Sequence, residues 1–202
     1  GTYPYVTSSP TSLGGVFTGA GVAPADIDYV LGIAKTYTTR VGAGVFPTEL
    51  DNEIGQSIAE YGQEFGATTK RPRRCGWFDA VGLRRMINLN GVRGICLTKL
   101  DVLDHLAEIK ICRAYKHQDE VLTSCAQDHA FLSTCTPMYE TMKGWQCSTQ
   151  GIQNWDDLPA KAKAYIQHLG QILDIPIVMV ATGSGRDDIL WTPIGKRCGL
   201  RS

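Results

Sequence analysis

Neither sign of charge is in excess in this chain: twenty Lys and Arg residues are matched by twenty Asp and Glu. A long nucleic-acid groove or a surface for anionic membranes needs a basic excess, so bulk charge indicates neither, and only a local cluster is left to bind a small anion. Long apolar runs are also missing. A membrane helix needs roughly 20 apolar residues, whereas the longest candidate, Ile175 to Ala181, is strand-sized and contains Pro176. No secretory n-region and h-region open the sequence. The chain starts Gly1-Thr2-Tyr3-Pro4 without a methionine and is read as beginning inside something longer. Metal-ligand spacings are absent too. Seven cysteines stand at irregular spacings with no C-x-x-C, and His105, His117, His129 and His168 form no H-x-x-x-H pair. Buried free thiols in a reducing cytosol are therefore expected rather than a metal or redox motif. No Walker-type G-x-x-x-x-G-K-[ST] occurs.

What is present is an ordinary globular composition, 43% hydrophobic and 20% charged, in 202 residues. That length supports one substantial core. Thr2 to Val6 reads as a short strand running into the hydroxyl cluster Thr7-Ser8-Ser9-Pro10. The glycine-rich run Gly14 to Gly21 follows, which is either a phosphate-approaching loop or a plain surface loop. Ile27, Val30, Leu31 and Ala34 have the spacing of an amphipathic helix over residues 25–37. Thr38 to Gly44 is β-prone. A helix is expected after Asp51 with Ile54, Ile58, Tyr61 and Phe65 on one face. Another should start at Asp79, with Ala80, Leu83, Met86 and Ile87 inward, and stop at Asn90-Gly91. Strands are expected at Gly94 to Leu97, Glu108 to Tyr115 and Ile175 to Ala181. A hairpin-like connection covers residues 117–134, and the last clear helix follows Asp156-Asp157-Leu158-Pro159. Alternating helices and strands make the class α/β with a largely parallel sheet.

Two stretches carry chemistry. Thr98-Lys99-Leu100-Asp101 lies just past an apolar strand, where ligands collect in open α/β sheets. An aspartate carboxylate matches the adjacent N1–H and N2–H₂ donors of guanine, and a lysine stem can lie along the ring. Adenine offers that carboxylate no such pair of donors. A Lys-x-Asp after a strand is common, so the residues leave an ordinary strand end as the alternative. The second stretch is Gly66-Ala67-Thr68-Thr69-Lys70-Arg71-Pro72-Arg73-Arg74. Four cations in five residues, with a proline among them, make a loop that needs either water or anions around it. Arginine forks there are suited to gripping carboxylate or phosphate oxygens. A nucleic-acid patch is the weaker reading, because no aromatic residues interleave with those cations.

Tyr5-Val6-Thr7-Ser8-Ser9, Thr39-Arg40-Val41-Gly42-Ala43-Gly44, Gly66-Ala67-Thr68-Thr69 with its arginines and Thr98-Lys99-Leu100-Asp101 occur in this order. In that combination the chain resembles the adenylosuccinate synthetases, from Gly1 to about Asp188. The resemblance implies a GTP-dependent carbon–nitrogen ligase that joins IMP to L-aspartate in AMP synthesis. It implies an α/β fold of the P-loop-NTPase-like kind, with a mostly parallel sheet and helices on both faces. Residues 1–202 would be the carboxyl-terminal half of a single catalytic domain, with the tail 190–202 unassigned. Thr7 matches the threonine that holds IMP, and Val41 lies where its ribose is contacted. Ala67, Thr68, Thr69, Lys70, Arg71, Pro72 and Arg73 match the loop that closes over L-aspartate. Arg71 also matches an IMP contact, and Arg73 a GTP contact. Lys99, Leu100 and Asp101 match the guanine site, and Ala181, Thr182 and Gly183 a second guanine loop that is usually Ser-Thr-Gly.

Departures from the family pattern are Pro10 for asparagine, Lys70 and Pro72 for the glycine and arginine common in the clamp loop, and Ala181 for serine. The family's Gly-Asp-Glu-Gly-Lys-Gly-Lys phosphate loop, with its proton-accepting aspartate, and its phosphate-contacting histidine do not occur here. The chain is therefore expected to be inactive alone. Arg71 and Arg73 would play supporting roles, and the ligands for Mg²⁺ would lie in the missing half. The full-length protein is expected to be a cytoplasmic homodimer. A non-catalytic remnant that binds a purine nucleotide is the alternative.

Overall fold

The computed structural model describes residues 2–66, 70–124 and 128–197. In chain order the elements are α1 (Gly14–Ala20), β1 (Leu31–Lys35), β2 (Thr38–Arg40), α2 (Glu53–Tyr61), β3 (Arg74–Gly76), β4 (Phe78–Asp79), α3 (Ala80–Asn90) and β5 (Gly94–Thr98). They continue with β6 (Glu108–His117), β7 (Glu120–Leu122), α4 (His129–Leu132), β8 (Thr136–Lys143), α5 (Ala160–Leu173), β9 (Ile177–Ala181), β10 (Ile189–Trp191) and α6 (Pro193–Arg197). One sheet has the order β1-β5-β9-β10, with the first three strands parallel and β10 antiparallel. β2 and β3 form an antiparallel pair, and β6 pairs with β4, β7 and β8 in a further mixed sheet. Among the described residues no helix is long and apolar enough to cross a membrane.

α3 forms through the signals that announced it, whereas α5 starts at Ala160 with no side-chain cap and no acidic residue in its first turn, Asp156 and Asp157 lying in a separate 3₁₀ turn. Asp79 caps α3, its Oδ1 accepting from Val81 N and Gly82 N, and Gly91 in the left-handed region (φ 58°) ends the helix. α5 buries Ala162, Tyr165, Ile166, Leu169 and Leu173 against β9, a seam whose period is helical. α2 is capped one residue later than expected, by Asn52, whose Oδ1 accepts from Ile54 N and Gly55 N. Only Ile58 of its expected apolar face is buried; Ile54, Tyr61 and Phe65 are exposed, and Phe65 lies beyond the helix in a bridge to Pro72. On α3, Met86 is likewise exposed.

Other expectations are corrected. Residues 25–37 do not form a helix but a short 3₁₀ turn, Pro24–Asp26, followed by β1. A five-residue apolar segment cannot be told from a helix by period alone. Here the parallel partner β5 decides, and Gly32 lets the strand approach Val92 and Ile95 without a Cβ. Thr2 to Val6 is not a strand but an exposed turn closed by Tyr5 N donating to Thr2 O, since Pro4 removes a ladder donor. The glycine run is no loop; most of it is α1, anchored by Leu13 N donating to Asn90 Oδ1 at 2.7 Å. β6 is longer than expected, and its alternation breaks at a bulge between Cys112 and Ala114 that leaves Arg113 exposed. Of the hairpin-like connection expected over 117–134, the β6–β7 hairpin forms, residues 125–127 lie outside the described residues and α4 occupies His129–Leu132, while β8 had no sequence expectation. Of the thiols, Cys75, Cys96 and Cys112 are buried, Cys135 is half-buried, and Cys147 is exposed, contrary to expectation. Cys125 and Cys198 lie outside the described residues.

Close packing at the start of α2 yields a test. A Cβ at Gly55 would overlap the carbonyl oxygen of Leu50. Gly55→Ala, which helix propensity alone would favour, should instead destabilise the protein by about 2 kcal/mol through overpacking. Thermal melting checks the sign, and an unchanged or raised midpoint would refute the contact.

Candidate functional site

The parallel strands deliver their carboxyl ends to one edge of the sheet. Past β5, Lys99 turns through the left-handed region (φ 65°), and its carbonyl accepts from Thr36 Oγ1 at 2.8 Å. Its ammonium donates to Gly62 O at 2.9 Å, so the lysine stem is stretched toward the end of α2. Leu100 is buried, and its N–H donates to Ala181 O at 3.3 Å. That bond ties the two expected guanine segments together. Thr182 is fully buried, with Oγ1 donating to Ile152 O and N–H donating to Asp188 O. Asp188 also accepts from Gly185 N through Oδ2 and crowds Gly183. Lys99, Leu100, Asp101, Ala181, Thr182 and Gly183 are thus brought together. Leu100, Ala181 and Thr182 are too buried to offer more than backbone.

Two carboxylates on the turn after β5 behave oppositely. Asp104 accepts from Trp145 Nε1 at 2.6 Å, Thr149 N at 2.6 Å and Thr149 Oγ1 at 2.7 Å. Asp101 Oδ1 is buried and has no hydrogen-bond partner among the described residues. Burial, joined by the charges of Asp104 and Asp188, raises the Asp101 carboxyl above the usual range, against the pull of Lys99 and a backbone donor. A buried acceptor without a donor is a costly arrangement that a ligand can relieve. Asp101 opens on a cavity of about 410 Å³ walled by Tyr61, His105, Gln146 and Ser148, among others. Sequence reasoning missed this wall, Asp104, which braces it through Trp145 and Thr149, and Asp188, which braces the loop after β9. Larger concavities, of about 760 Å³ beside α5 and about 700 Å³ between α1, β1 and α3, are lined mainly by apolar side chains and lack such an orphaned charge.

The cationic loop rises from a narrow base. Phe65 and Pro72 form an antiparallel bridge, Gly66 N donates to Arg71 O, and Lys70 N donates to Gly66 O, both at 2.9 Å. Ala67, Thr68 and Thr69 lie outside the described residues. Lys70 holds φ 53°, a conformation glycine adopts without strain, which accounts for the glycine the family pattern carries there. The four cations separate. Lys70 and Arg71 are exposed. Arg73 Nη1 donates to Glu64 Oε2 at 2.8 Å. Arg74 forks onto Glu49, with Nε to Oε1 at 2.5 Å and Nη2 to Oε2, and donates to the carbonyls of Gly42 and Gly44. Arg74 is therefore structural.

Glu64 was not singled out in the sequence. Only 1% exposed, it accepts from Lys35 Nζ and Tyr37 OH through Oε1, each at 2.6 Å, as well as from Arg73. Burial pushes its carboxyl up, but the bonds from Lys35, Tyr37 and Arg73 together outweigh that and hold it below the usual value. Burial and the same carboxylate push the Tyr37 phenol far up, so it stays a donor.

Thr7 and Val41, expected at one ligand, do line one cavity, of about 380 Å³, with Tyr5, Val6, Gly42 and Ala43. Val41 is 77% exposed. Arg40 joins the two walls, donating from Nη2 to Thr2 Oγ1 and Tyr5 O and from Nε to Ala43 O, each at 3.3 Å.

A family model described as adenylosuccinate synthetase matches residues 1–190. The chain belongs to the adenylosuccinate synthetase family. Adenylosuccinate synthetases from Alkalilimnicola ehrlichii and a Psychrobacter species are 52% and 55% identical to it over 190 residues. These alignments cover 94% of this chain and 44% of each relative, so the chain spans less than half the length of the relatives it matches. The structure of a fully ligated adenylosuccinate synthetase from Plasmodium falciparum superposes with a TM-score of 0.92 at 42% identity, over 95% of this chain and 46% of that one. A cyanophage S-2L succinoaminodeoxyadenylate synthetase shares the fold alone, with a TM-score of 0.54 at 17% identity.

The Glu64 network sets a stability test. Glu64→Ala should cost about 3 kcal/mol, the lower end of the range for breaking a buried ion pair, because the cations left behind are about a third exposed. The folded carboxyl titrates below its unfolded value of about 4.3. Its contribution is therefore complete above that pH and lost as pH falls through the folded value. Denaturant melts of both proteins should show the gap between them narrowing on acidification; a gap constant with pH would refute the network's charge.

Proposed function

We propose that this chain supplies the guanine pocket, the aspartate clamp and part of the IMP site of an adenylosuccinate synthetase whose complete polypeptide is longer. The reaction is GTP-dependent ligation. The γ-phosphoryl group of GTP passes to the 6-oxygen of IMP, and the amine of L-aspartate then displaces phosphate to give adenylosuccinate, leaving GDP and phosphate. The observation that carries the reading is the buried, unpartnered Oδ1 of Asp101 at the edge where β5 and β9 end.

In this reading Asp101 accepts from guanine N1–H and N2–H₂, and the extended stem of Lys99 covers the ring. Ala181 and Gly183 add backbone from the facing loop, held in place by Thr182. Arg71, on the exposed rim, grips a carboxylate of L-aspartate with the help of Thr68 and Thr69, while Thr7 and Val41 hold IMP. Phosphoryl transfer is catalysed chiefly by positioning and by neutralising charge, and Arg71 and Arg73 contribute to the second. Mg²⁺ accompanies GTP in the family. Its ligands are assigned, on the family resemblance alone, to the remaining length of the protein. We read the complete enzyme as a cytoplasmic homodimer, with the chain by itself inactive.

Asp101→Asn in the complete enzyme should raise the KM for GTP by at least about tenfold, the scale of a lost charge-assisted bond, and change those for IMP and L-aspartate little. Equal losses for all three substrates in steady-state kinetics would sink the guanine assignment. Arg71→Leu should raise the L-aspartate requirement by about a hundredfold, the scale of a bidentate ion pair to a charged substrate group. An unchanged aspartate dependence would rule out the clamp.

A further inference from the structure

Arg73 is tied to a single residue at two points: its N–H donates to Glu64 O and its Nη1 to Glu64 Oε2, each at 2.8 Å. Glu64 is in turn fixed to the end of β1 by Lys35, which also donates to Thr39 Oγ1 at 3.0 Å, and to the β1–β2 connection by Tyr37. The Phe65–Pro72 bridge divides the segment. Arg71 lies on the loop side of that bridge, and Arg73 on the side of the protein body. Two cations share one buried carboxylate, so the network keeps a net positive charge, presented by side chains 27% and 33% exposed. A guanidinium has five N–H donors in a fixed plane. Anchoring Nη1 orients the remaining fork without consuming it.

We propose that Glu64 is a positioning residue that fixes the orientation of the Arg73 guanidinium within a preformed nucleotide site. The inference rests on the reading of Arg73 as a GTP contact and adds to it the residue that sets its orientation.

The test is steady-state kinetics on the complete polypeptide containing this chain, with Glu64→Gln, Arg73→Leu and the double variant. Glu64→Gln should raise the KM for GTP by about tenfold, the loss of one charge-assisted bond, and leave that for L-aspartate within about twofold. The double variant should be no worse toward GTP than Arg73→Leu alone, because Glu64 acts through Arg73. A purely structural Glu64 would depress all substrates together, and its effect would multiply with that of Arg73→Leu; either result overturns the proposal. An Arg73→Leu variant with unchanged GTP dependence overturns the assignment of Arg73 and this inference with it. Impairment by Arg73→Leu without impairment by Glu64→Gln overturns the inference alone. Should Glu64→Gln fail to fold, Glu64→Asp, which keeps the charge for Lys35 and shortens the reach to Arg73, carries the same comparison.

Discussion

The parallel pairing of β5 with β9 is the constraint on which the site depends. Because the strands run the same way, segments far apart in sequence, Lys99–Asp101 and Ala181–Gly183, emerge at one edge and are joined there by the bond from Leu100 N to Ala181 O. β1 runs parallel to β5 as well and brings Thr36 to the Lys99 carbonyl, while Tyr165 on α5 donates to Thr36 O at 2.8 Å. A one-residue slip in either pairing would turn buried faces outward and carry Asp101 away from its cavity. The meeting of the two strand-end segments is therefore a property of sheet register before it is a property of any side chain.

Electrostatic sorting does the rest. Four cations crowded into five residues are tolerated because the fold deals them different surroundings: Glu64 for Arg73, Glu49 and two carbonyls for Arg74, and an exposed position at the rim for Lys70 and Arg71. The same logic distinguishes Asp104, whose three donors make it a strut, from Asp101, whose buried Oδ1 lacks one. A saturated carboxylate holds its neighbours in place, whereas a buried one lacking a donor carries an unmet demand for one.

Much of this was legible in the sequence, for identifiable reasons. α3 was framed by a cap at each end, α5 by an uninterrupted apolar seam, and β5 and β9 by runs too apolar to lie anywhere but inside. The ligand segments stood out because they combine unusual residues with strand ends. What stayed hidden depends on partners distant in the chain. β1 has a helix-compatible spacing and becomes a strand only beside β5. The break in β6 at Arg113 is visible only against β8. Glu64 reads as one more surface acid near a helix end until Lys35, Tyr37 and Arg73 converge on it. The fates of Arg73 and Arg74 could not be told apart from the cluster alone, since adjacent residues of one type meet different partners only in three dimensions.

The outer side of β1 has a consequence of another kind. β1 is the last strand at its end of the sheet among the described residues, hydrogen-bonded only to β5, with Ile33 75% exposed. Unpaired backbone beside an uncovered isoleucine is a template for any extended segment that meets it, and a formal net charge of zero supplies no long-range repulsion to keep copies apart. Such an edge favours strand-on-strand pairing whenever copies of the chain meet, and that tendency grows with concentration rather than with any change in the core.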